Sequence, residues 1–131
     1  MFNMLNMEEK VHLLVAKLHF EIAEAKNSEY EQEKEQDKHT ALRVVAAQNY
    51  FYSAINIIES IFAKQEEHSF NHENRMSKIH EKRNFFSEDI INLYSQVERD
   101  QRNKVTYRGE NGFKYENIKK LARLLLNQHG Q

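Results

Sequence analysis

A chain of 131 residues carrying 19 Lys+Arg against 20 Asp+Glu has a net charge of −1, which by itself calls for neither a nucleic acid nor a membrane partner. Without cysteine, disulfides and thiolate metal ligands are excluded, and no apolar run approaches the roughly 20 residues that span a bilayer. There is no proline, and the three glycines are Gly109, Gly112 and Gly130, so the turn residues that a β-rich domain needs are missing over the first 108 positions and an all-α fold is expected.

The length fits a single domain over residues 1–131 with a core large enough to fold unstapled. Met1 to Lys10 lacks the basic-then-apolar pattern of a leader. With the absence of cysteine, this reads as a cytoplasmic chain.

Val11, Leu14, Val15, Leu18, Ile22 and Ala25 recur at helical spacing and predict an amphipathic helix from about Asn6 to an acidic stretch. Residues Ser28 to Lys38 are charged and lack a stripe, as a frayed continuation or a connection would. From Glu29 to Asp37 there are five acids and one base. A second helix is expected from about Lys38 to Gln65. Leu42, Val45, Ala46, Asn49, Tyr50, Ala54, Ile57, Ile58, Ile61 and Phe62 form its broad face, widened by Ala41, Val44, Phe51 and Ile55. A helix apolar on most sides is central in a bundle, or also meets another subunit.

Glu67 to Asn74 reads as a loop, with Ser69 or Asn71 able to cap a short helix through Met76, Ile79 and Lys82. Ser87, followed by Glu88 and Asp89, is an N-cap signal for a long helix carrying Ile90, Leu93, Tyr94 and Val97. This helix should run to Gly109, which can supply a left-handed stop. The last helix is expected from about Tyr115 to Asn127, with Ile118, Leu121, Ala122 and Leu125 inward. The sum is an up-and-down bundle of four to five helices.

The densest polar cluster is Arg99 to Gly109. Between Arg99 and Arg123 there are eight bases against three acids, a local positive field in a neutral chain. Cations at a helix C-terminus are also favoured by the macrodipole. The stretch is therefore either a solvated basic helix end or a polar site built on Arg102, Asn103, Tyr107 and Arg108.

Three segments together resemble the HEPN domain (higher eukaryotes and prokaryotes nucleotide-binding): Ala47-Gln48-Asn49-Tyr50-Phe51-Tyr52-Ser53-Ala54, then His68 to His72, then Arg102-Asn103 with Tyr107-Arg108-Gly109. The resemblance covers about Lys38 to Gln128. It implies a HEPN-like bundle, commonly a homodimer. Many members are ribonucleases whose motif is Arg, a polar residue, a few spacers and His. Arg102 and Asn103 match its first two positions, and Tyr107 stands where the His would be.

Histidine titrates near 6.5 and tyrosine near 10, so a tyrosine there is a poor general base for 2′-hydroxyl chemistry. The sequence is more similar to a branch of non-nuclease partners of small nucleotidyltransferases. That branch implies nucleotide or RNA contacts through Arg102, Asn103, Tyr107 and Arg108, with His72 and Tyr50 lining the site or structural. Two other readings stand beside it. One is a metal-independent toxin-type ribonuclease in which Arg102 holds the scissile phosphate. The other is a structural helical dimer with no ligand.

His68 and His72 are four apart but have only Glu67, Glu73 and His80 as further candidate ligands, so no metal is expected. The paired Glu-x-x-His motifs of di-metal bundles are absent from any two helices, as are Gly-rich phosphate loops. No cofactor is expected.

Overall fold

A computed structural model describes residues 4–67, 69, 71–109 and 113–130. The fold is an all-α helical bundle, and the described residues contain no strand. Its helices are α1 (Met4–Gln32), α2 (Gln36–Lys64), α3 (His72–Glu81), α4 (Glu88–Gln96), α5 (Arg102–Arg108) and α6 (Phe113–His129). A 3₁₀ turn, Arg83–Phe85, precedes α4, and a π-helical turn, Val97–Gln101, joins α4 to α5.

Local chemistry sets most of the boundaries. The acidic stretch continues α1 to Gln32, and Glu35 caps α2 by accepting the amides of Asp37 and Lys38. At the other end of α2, Glu66 adopts φ 60° while the amide of Glu67 returns to the Phe62 carbonyl. That is a Schellman-type stop with a glutamate in the place glycine usually takes. Asn71, rather than Ser69, caps α3 by accepting the Asn74 amide, and Ser87 caps α4 by accepting the Ile90 amide. Gly109 ends α5 at φ 68°.

The core is centred on α2, whose Ala46, Ala47, Tyr50, Phe51, Ala54, Ile57, Ile58 and Phe62 are buried. Against it pack Ile90, Tyr94 and Val97, Val105, and Tyr115, Ile118, Leu121, Ala122 and Leu125 of α6. The inward face expected of the last helix is thus the one observed.

α1 packs antiparallel to α2, as paired contacts from Tyr30–His39 at one end to His12–Asn56 at the other require. Its apolar stripe does not face the bundle. Ala16, Ala23 and Asn27 are buried instead, while Val11, Leu14, Leu18 and Ile22 stay 46–61 % exposed. The reason lies in α2. Ser53 donates to the Ala16 carbonyl at 2.8 Å, a close approach that small residues permit. Asn49 and Asn56 spend their amide N–H on the Val45 and Tyr52 carbonyls, leaving each Oδ1 to accept from His19 Nδ1 (2.9 Å) and His12 Nδ1 (3.1 Å). Tyr50 donates to Glu24 at 2.6 Å. Leu13, Phe20 and Tyr30 also pack on the core from this side, so polar complementarity and apolar contact together select the packed face of α1.

The expected single long helix from Ser87 to Gly109 is observed with a π turn in its middle. Hydrophobic register explains the insertion. At about 100° per residue, Val97 and Val105 would lie about 80° apart on a regular helix, and one residue absorbed by the wider turn reduces that to about 20°. Both valines are fully buried.

Candidate functional site

The re-registered helix also turns Arg102 toward α2. The Arg102 guanidinium carbon lies 4.7 Å from the centre of the Phe51 ring, and its Nη2 is 3.9 Å from a Glu98 carboxylate oxygen. The Arg102 side chain is 16 % exposed and that of Glu98 4 %. A guanidinium over an aromatic face gains cation–π attraction, strengthened where water is excluded.

Gln48, Phe51, Tyr52, Arg102 and Thr106 line a recess of about 20 Å³. A space of roughly 10–15 Å³ admits one water, so the recess takes a water or a phosphate oxygen but not a base. Tyr52, on the rim, is exposed and offers a flat surface outside it. Thr106, one turn after Arg102, donates its hydroxyl to the Arg102 carbonyl at 2.7 Å.

Behind Arg102 runs a buried polar network. Tyr94 is fully buried, and burial, reinforced by the nearby Glu98 carboxylate, pushes its phenol far above the ordinary value. Arg75 Nη1 donates to the Tyr94 hydroxyl at 3.5 Å, and Arg75 Nε to Glu59 at 3.2 Å. Glu59 also accepts from the amide and the hydroxyl of Ser69. Arg75 thus ties α3 to α2 through Glu59 and reaches α4 through Tyr94.

Arg108 closes α5 and is exposed. The side chains of Asn103, Tyr107 and His72 lie outside the described residues; α5 carries the first two, and His72 opens α3. Tyr50 is not at the recess. It is buried on the α1 side of α2, donates to Glu24, and has its phenol raised by burial first and by Glu24 second. Glu24 is held in turn by Arg123 at 2.9 Å.

Glu98, Gln48 and Thr106 enter the site without having been singled out from the sequence. A glutamate four residues before Arg102 was a usable signal, since i,i+4 pairs meet on a helix. Arg43 is buried on α2 and donates Nη2 to the Gly109 carbonyl, fastening the end of α5. Among the described residues, no group of three or more His, Asp or Glu is disposed to hold a metal, and no helix is long and apolar enough to cross a membrane. No family model, curated protein or solved structure matches the chain.

Proposed function

We propose that this is a HEPN-type, non-catalytic binding protein that takes a phosphate of a nucleotide or an RNA at Arg102 and works beside a small nucleotidyltransferase. The observation that supports the reading best is the Arg102 guanidinium, seated on Phe51 at the mouth of a recess sized for a phosphate oxygen, with exposed Tyr52 alongside. A planar guanidinium can serve a carboxylate on one edge and a phosphate on the other. A base could then stack on Tyr52 while its phosphate enters the recess. Asn103, Tyr107 and Arg108 belong to the same stretch and complete the proposed contact set. The partner rests on the sequence resemblance alone.

Binding of labelled nucleotides and of a short single-stranded RNA, read by fluorescence anisotropy, tests this. Arg102→Ala should weaken binding at least about tenfold, the worth of one charge-assisted contact of about 1.4 kcal/mol. Equal affinity for both proteins, or none for either, overturns the reading. Incubation with total RNA separates the reaction class. Cleavage abolished by Arg102→Ala would replace binding by a toxin-type ribonuclease. Co-purification of a nucleotidyltransferase expressed with the chain tests the partner.

A further inference from the structure

We propose that the outward stripe of α1 is the seam of a two-fold dimer, in which α1 of a second copy lies parallel alongside. The observation is a second apolar stripe on α1: Leu13 and Phe20 pack on the core from one face, while Val11, Leu14, Leu18 and Ile22 stay exposed on the other. Single exposed aliphatics are ordinary on a protein surface, but a continuous line of them marks an interface.

The line has a period. Val11, Val15, Leu18, Ile22 and Ala25 are spaced four, three, four and three apart, the a/d pattern of a helix-to-helix seam. Val15 and Ile22 take a, and Val11, Leu18 and Ala25 take d. β-branched residues at a with leucine at d favour two parallel strands. The flanking positions point to the same occupant. In a parallel pair, a g residue meets the e residue five positions on in the partner. That places Glu21 against Lys26 and Leu14 against His19 across the two-fold axis. Glu21 is exposed, and so is Leu14, at 61 %.

An antiparallel pair would set Glu21 beside Leu14 and His12 beside His19, so Glu21 would lose the Lys26 it meets in the parallel pair. His19 carries Tyr52 of α2 next to it, ring centres 5.5 Å apart. Glu8 and Glu29 occupy the next a positions and close the seam at both ends.

Sedimentation equilibrium of the full chain should give twice the 15.7 kDa of one chain at micromolar concentration. Leu18→Glu should return it to a single chain with unchanged helical circular dichroism, because Leu18 takes no part in the core. Glu21→Lys should weaken the dimer a few-fold, and Glu21→Lys with Lys26→Glu should restore it. Orientation is read by cross-linking, since the natural chain has no cysteine. Val11→Cys alone should oxidise to a disulfide-linked dimer. In an antiparallel pair the same position would lie about 16 Å from its copy and would link only to Ile22→Cys. A monomer throughout, a dimer untouched by Leu18→Glu, or cross-linking confined to the Val11→Cys with Ile22→Cys mixture overturns the proposal.

Discussion

Replacing Arg75 by methionine removes the cation that neutralises Glu59 in the interior. The two side chains are only 11 % and 10 % exposed, and their N···O separation is 3.2 Å. Breaking a buried ion pair from one side costs about 3–5 kcal/mol, because the remaining charge stays desolvated. Here Ser69 still donates its amide and hydroxyl to Glu59, which places the cost at the lower end, about 3 kcal/mol. With an m-value of about 2 kcal/mol/M, the urea midpoint should fall by about 1.5 M.

Glu59→Gln in the same background keeps an acceptor for Ser69 but no charge. The double variant should then recover about 2 kcal/mol of the loss, a coupling that a pair in direct contact can show. The assay is urea unfolding followed by far-ultraviolet circular dichroism at neutral pH for the four proteins of the cycle. A loss under about 1 kcal/mol for Arg75→Met, or a double variant no more stable than the single one, would refute the claim that Glu59 is a buried charge dependent on Arg75.

Two backbone sites should respond with opposite signs to the same conformational argument. Glu66 and Gly109 both sit at positive φ, 60° and 68°. Glu66→Gly should therefore stabilise by about 1 kcal/mol. Gly109→Ala should destabilise by about 1–2 kcal/mol, with a new Cβ pressed to 3.3 Å from Thr40 Cγ2; thermal midpoints check both. His129 is part-buried beside Phe86, and burial first, then Lys64, holds its imidazole below the usual 6.5. The folded state thus binds the proton less readily than the unfolded one, so stability is full above 6.5 and falls as the pH drops through it. His129→Leu should flatten that part of the stability–pH curve between pH 7.5 and 5.5, and an unchanged slope would show that another group is responsible.

The helix content and most ends were legible because the relevant signals are local. A chain without proline, with Ser87 and Asn71 as caps and Gly109 as a stop, has few alternatives. The inward face of α6 was equally readable, since its single apolar stripe is the one the core needs. α1 shows the limit of the same method. Periodicity reports that a helix has an apolar face, not what that face meets. The packed side carries Leu13 and Phe20, and it meets Ser53, Asn49, Asn56 and Tyr50 on another helix.

The π turn was illegible for a related reason. Nothing in Val97 to Gln101 disfavours a regular helix, and the wider turn is what brings Val97 and Val105 nearly into one line. The Arg102 stretch was legible as a polar cluster. Its pairing with Phe51 and Glu98 depends on that widened turn.

The widened turn makes one place in the chain unusual with respect to insertions and deletions. Removing a residue from any other helix rotates everything downstream by about 100° and exposes half a core face. Removing exposed Arg99 would instead relax the π turn to ordinary α geometry, with Val105 and Arg102 still in register with α2. Homologues one residue shorter at this point would keep the architecture intact, and those one residue shorter elsewhere in α4 or α5 would not. The wide turn thus has the geometry of a one-residue insertion that the fold absorbed without repacking its interior.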